Sequence, residues 1–137
     1  MDREQPVIEL DSYRITDVDF TVYNGIEEIE NKDIKHGDIN ATIGINEEYH
    51  NKAIVKLKTS IIDEDNLRVI SVELSGFFTI NEENEDKAKN YLLVNGSAIL
   101  MPYLRAIISI ISSLDNESAI VLPTMNTYNF EKKDKSE

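Results

Sequence analysis

Histidine occurs twice, at His36 and His50, and these are the first residues to test for chemistry. Both fall in turn-like stretches and neither stands in a His-x-x-x-His or other ligand spacing, so both read as surface histidines. The acidic clusters at 63–65 and 82–86 lack the Asp-x-Asp-x-Asn-Gly run and terminal glutamate of a calcium loop, and read as solvated loops. The five glycines, at 25, 37, 44, 76 and 96, never come close enough in sequence to cradle a phosphate. Ser109, Ser112 and Ser113 have no histidine or lysine spaced to activate them. Cysteine is absent, which excludes disulfides, thiolate catalysis and cysteine-ligated metal. No catalytic residue, metal site or cofactor is expected, and an enzyme is disfavoured.

Apolar capacity is what remains. The stretch 97–114 reads SAILMPYLRAIISIISSL. On a helix from Pro102 onward, Arg105, Ser109, Ser112 and Ser113 make one narrow polar stripe. Tyr103, Leu104, Ala106, Ile107, Ile108, Ile110, Ile111 and Leu114 occupy the other positions. A helix apolar nearly all round has to be buried on more than one side, so a second copy of the chain or an apolar ligand must cover part of it. Phe77 and Phe78 put an aromatic on both sides of a strand. Met101-Pro102-Tyr103 joins an adaptable thioether, a rigid turn and an amphipathic ring. Such a set suits a groove for extended apolar segments.

The elements that must position these residues follow from periodicity. Residues 1–12 read as a loose lead-in. A strand at 15–24 alternates Val18, Phe20 and Val22 against Asp17, Asp19 and Thr21. Further strands are expected at 39–45, 52–62 and 67–80, the last with Gly76 allowing a bulge or a close approach. Short connections imply an antiparallel meander with one apolar and one wet face, the latter carrying Asp17, Asp19, Thr21, Ser71, Glu73 and Ser75. Residues 87–94 form a short helix broken at Asn95-Gly96, and the main helix begins near Pro102. The fold class is α+β: a four-stranded antiparallel sheet followed by a long helix.

Composition bounds the partners. At 137 residues the chain is one domain, and its formal charge of −12 repels phosphate backbones. Nucleic acid is therefore not expected as a partner. The apolar run 98–111 is interrupted by Pro102, Arg105 and Ser109 and falls short of the roughly 20 residues of a membrane span. The opening MDREQ is no secretory leader, so a cytoplasmic protein without membrane insertion is expected.

Several local motifs, in order, resemble SecB, the bacterial protein-export chaperone. Met101-Pro102-Tyr103-Leu104-Arg105 looks like the family's helix motif, and Ser75-Gly76-Phe77-Phe78-Thr79-Ile80 like its strand end. Leu122-Pro123-Thr124-Met125-Asn126 is similar to the segment after the helix, and 13–24 to the first strand. The resemblance spans about 13–130, leaving 131–137 as a disordered tail. It implies a homotetramer, a dimer of dimers, holding unfolded or precursor proteins without ATP, with export through the Sec translocase. Peptide binding is then expected at Phe77, Phe78, Leu100, Met101, Pro102 and Tyr103. The oligomer interface is expected at Leu104, Ile107, Ile108, Ile111 and Leu114. Asp17, Asp19 and Glu73 are the acidic surface that would face SecA. Thr21 and Ser71 fall where the family carries glutamates, and the tail lacks the family's longer helix and basic SecA-binding end. SecB-like relatives also serve toxin–antitoxin systems, so a dedicated chaperone of one client such as an antitoxin is the alternative.

Overall fold

The computed structural model of the chain describes residues 6–122. The order is β1 (Ile8–Val22), α1 (Ile26–Glu30), β2 (Ile39–Ile45), β3 (Lys52–Asp63), β4 (Arg68–Ile80), α2 (Glu85–Tyr91) and α3 (Ser97–Asp115). A π-helical turn, Leu92–Gly96, joins α2 to α3. The strands form one antiparallel sheet ordered β1-β4-β3-β2. The expected antiparallel sheet and long helix are present, but the connections are not those of a plain meander. β1 pairs with β4 and lies at the edge opposite β2. The 15 residues of β1 match the 13 of β4 far better than the 7 of β2, so this order forms the most ladder hydrogen bonds.

β1 begins at Ile8, so 8–12 of the expected lead-in are strand. Two register irregularities hide this start: Asp11 and Thr16 are extra residues between the pairs Leu10↔Phe78, Ser12↔Phe77 and Ile15↔Leu74, Asp17↔Glu73. Each such bulge flips the alternation, so no period-2 reading runs through 8–18. The segment 123–126 and the tail 131–137 lie outside the described residues.

Cross-strand pairing fixes the two faces. Toward the helix point Ile70, Val72, Leu74, Gly76, Phe78 and Ile80 of β4, with Val55, Leu57 and Ile61 of β3 and Ile39 of β2, all buried. The far face carries Asp17, Asp19, Thr21, Ser71, Glu73 and Ser75, as expected, together with Arg14, Lys56 and Lys58, but Ser75 is buried there against Thr16 rather than wet.

The helix differs from its expectation. α2, the π turn and α3 make one continuous rod, Glu85–Asp115, with neither a break at Asn95-Gly96 nor a start at Pro102. Gly96 has helical backbone (φ −61°, ψ −44°), and a Cβ there would stand 3.2 Å from Val55 Cγ2. Its missing side chain lets the rod lie on the sheet, and that burial outweighs a propensity cost of about 1 kcal/mol. The second close approach is at Gly76, where a Cβ would come 2.7 Å from Leu100 Cδ2. Leu100, Leu104, Ile108 and Ser112, spaced by four, form the fully buried stripe of α3. The rod is long and apolar enough by length and composition to cross a bilayer, unlike the shorter run read from sequence, and its buried stripe seats on the sheet.

One buried charge ties the ends together. Arg68, fully buried at the start of β4, donates from Nε to Asp63 (2.9 Å) and from Nη1 to Asp115 (3.1 Å) and the Ser112 carbonyl (2.9 Å). It also donates to the Ser118 carbonyl. A cation on the last carbonyls of a helix is favoured by the helix dipole. Burial on its own raises the Asp63 carboxyl, but hydrogen bonds from Asn66 and Arg68 and the Arg68 charge outweigh it, leaving the group below its ordinary range. The chain after α3 is held by Ile120 N–H donating to Ser112 Oγ (2.8 Å) and by Arg105 Nε donating to the Leu122 carbonyl (3.0 Å).

Candidate functional site

α3 crosses β4 and β3 and leaves most of β1 uncovered. The pairs Tyr13↔Gly76, Ile15↔Leu74, Val18↔Val72, Phe20↔Ile70 and Val22↔Arg68 put five apolar side chains of β1 on the helix side. All five are exposed, Tyr13 at 46%. The outward stripe of α3 adds Ile99, Tyr103, Ile110 and Leu114, the last 82% exposed. Tyr13 and Tyr103 stack with ring centroids 4.2 Å apart and so join strand to helix. The result is one continuous apolar band, wider than the scattered apolar residues of an ordinary monomer surface.

The sequence-expected residues distribute differently. Of the six for peptide binding, Phe78, Leu100 and Met101 are core, because Phe78 is in phase with Leu74 and Val72, and Leu100 starts the buried stripe. Phe77 is half-buried on the far face, and only Pro102 and Tyr103 are exposed on the helix. Of the five interface residues, Leu104 and Ile108 are fully buried against their own sheet, Ile107 and Ile111 are half-buried, and Leu114 lies in the open. The excess of apolar surface on α3 is real, but its outward share is Ile99, Tyr103, Ile110 and Leu114. On the sequence Val18, Phe20 and Val22 share the apolar face of the sheet; in the structure α3 does not cover that part of the face and all three are exposed.

On the far face Asp17 and Asp19 are exposed and Glu73 is half-buried, with Thr16 Oγ1 donating to the Glu73 carboxylate (2.7 Å). Lys58 is the cross-strand partner of Glu73 and Lys56 of Ser75, so the acidic group borders a basic ridge. His36 lies in the turn before β2, where its Nδ1 accepts the Ile62 N–H (2.8 Å). Among the described residues no three acidic or histidine side chains gather as metal ligands.

A band that could seat a second protein surface, on a sheet-and-rod scaffold, defines the class. The family model of preprotein translocase subunit SecB matches residues 1–131, and the chain belongs to that family, which is not a family of enzymes. An uncharacterized protein of Methanocaldococcus jannaschii is 30% identical over 123 residues, covering 87% of this chain and 79% of the relative. A SecB-like chaperone of Mycobacterium tuberculosis, solved in complex with a ChAD peptide from an antitoxin, shares the fold. Its TM-score is 0.68 at 11% identity, over 86% of this chain and 90% of that one. A protein of unknown function from Streptococcus agalactiae superposes with TM-score 0.59 at 16% identity, covering 85% and 97%.

Proposed function

We propose that this chain is an ATP-independent chaperone that holds unfolded polypeptides on apolar surface in the cytoplasm. The observation that carries it is the band from Tyr13 through Val22 and across to Ile99, Tyr103, Ile110 and Leu114. Apolar burial is worth roughly 25 cal/mol per Å², and it is indifferent to sequence, as a client-tolerant holder requires. Part of the band is covered by other copies in a homotetramer, and many weak contacts along the assembly then sum by multivalency. The test is suppression of aggregation of a chemically unfolded substrate, followed by light scattering without ATP. Suppression near one tetramer per substrate is expected, and undiminished aggregation at excess chaperone overturns the reading.

The antitoxin peptide bound to the M. tuberculosis neighbour favours a second reading, a chaperone dedicated to one client. A pull-down yielding a single client supports it over general holding. Export through SecA rests on Asp17, Asp19 and Glu73. Loss of SecA binding on reversing those charges supports it, and no SecA binding by the unmodified protein removes it.

A further inference from the structure

Among the described residues β2 is one of the two free edges of the sheet, and nothing in its own structure blunts it. Its seven residues pair with β3 in unbroken register, without proline, bulge or charged side chain. No described residue pairs with its outer side. β1, the other edge, is interrupted twice. A regular, unpaired edge is a template for another strand.

The far face beside this edge has a readable pattern. Asn40, Thr42 and Gly44 alternate outward on β2, and their cross-strand partners are Lys58, Lys56 and Ile54. The β2 side chains are short and the three behind them are exposed, so Lys58, Lys56 and Ile54 are open toward whatever lies beyond the edge. Neither lysine forms an ion pair among the described residues, and Glu73, opposite Lys58, is already taken by Thr16. At Gly44 an added Cβ meets nothing within 4 Å. There Ile54 and Phe77, with the Asp11–Lys52 ion pair at its border, wall a recess of about 370 Å³.

We infer that the β2 edge docks an extended segment of a partner protein as a fifth, antiparallel strand, chosen by outward side chains that read apolar, acidic, acidic. The apolar one enters the recess over Gly44 against Ile54. The two acidic ones, opposite Thr42 and Asn40, meet Lys56 and Lys58. The intervening side chains face the helix side beside Ile43 and Ala41, both half-buried, and are apolar. This gives the chaperone reading a selective element, distinct from the apolar band and placed on the other edge of the sheet.

The experiment uses the full chain and two fluorescein-labelled peptides of matched hydrophobicity, one containing Leu-Val-Glu-Val-Glu and one Leu-Val-Lys-Val-Lys, in anisotropy titrations at low salt. The acidic peptide is expected to bind about tenfold tighter, since two attractive exposed pairs replace two repulsive ones. The preference shrinks as salt rises and reverses in the Lys56→Glu/Lys58→Glu variant. Gly44→Leu fills the recess, which has room for it, and weakens both peptides while the far-ultraviolet spectrum is unchanged. Equal affinities, or a preference that survives the lysine reversals, overturn the inference. So does a change in solution mass on Gly44→Leu without peptide binding, which would place a second copy on this edge. Aggregation suppression, measured on the same variants, is expected to persist, so the edge and the holding activity fail independently.

Discussion

Replacing Arg68 by methionine keeps the apolar length of the side chain and removes its hydrogen bonds to Asp63, Asp115 and the Ser112 and Ser118 carbonyls at the far end of α3. Arg68 is fully buried, whereas its partners Asp63 and Asp115 keep 17% and 31% of their side-chain surface. Removing one member of a buried pair costs about 3–5 kcal/mol, and partial hydration of the two carboxylates puts this case at the lower end, about 3 kcal/mol. The carbonyls of Ser112 and Ser118 also lose their donor. Against a typical domain stability of about 5–15 kcal/mol, such a loss shifts the urea midpoint visibly without abolishing the fold. Hydrogen exchange adds a local readout: the Ile120 amide, held by Ser112 Oγ, should lose protection before amides of β4. A midpoint shift worth under about 1 kcal/mol, with Ile120 still protected, would show that Arg68 is a bystander.

Three further outcomes follow from the same geometry. Gly76→Ala should destabilise by about 1–3 kcal/mol, because its Cβ drives into Leu100 and Phe78, and the cost should shrink in a Leu100→Ala background when the double-mutant cycle is closed by urea titration. Asp63 sits below its ordinary value of 3.8 when folded, so the folded state binds fewer protons than the unfolded one; its contribution is complete above that value and disappears as pH falls through it toward the lower folded value. Urea midpoints of wild type should carry this acid slope and those of Arg68→Met should carry a weaker one, because only the Asn66 hydrogen bonds then hold the carboxyl down. Val18→Asp and Ile110→Asp, both at exposed positions, should leave monomer stability within about 0.5 kcal/mol yet lower the solution mass, since an unpaired charge in an apolar interface costs several kcal/mol.

Much of the sheet was legible because β2, β3 and β4 alternate cleanly, each fixing its own faces. The start of β1 was not, because Asp11 and Thr16 break the period that reveals a strand. Strand order was hidden as well: Val18 and Phe20 look the same whether the neighbour is β2 or β4, and only long-range pairing decides. The helix shows in the sequence by its excess of apolar residues, but the local propensities of Gly96 and Pro102 point to a break and a start that packing overrides. That packing also divided the apolar positions, sending Leu104 and Ile108 inward and Ile110 and Leu114 outward. Arg68 left one faint trace, a charge in phase with Ile70, Val72 and Leu74.

Multi-angle light scattering of the purified full chain tests most directly whether the band on β1 and α3 is too apolar to stay in water. A mass of four copies, falling in Val18→Asp and Ile110→Asp, is the predicted result. A monodisperse monomer, soluble at high concentration with Val18, Phe20 and Ile110 left in solvent, contradicts it.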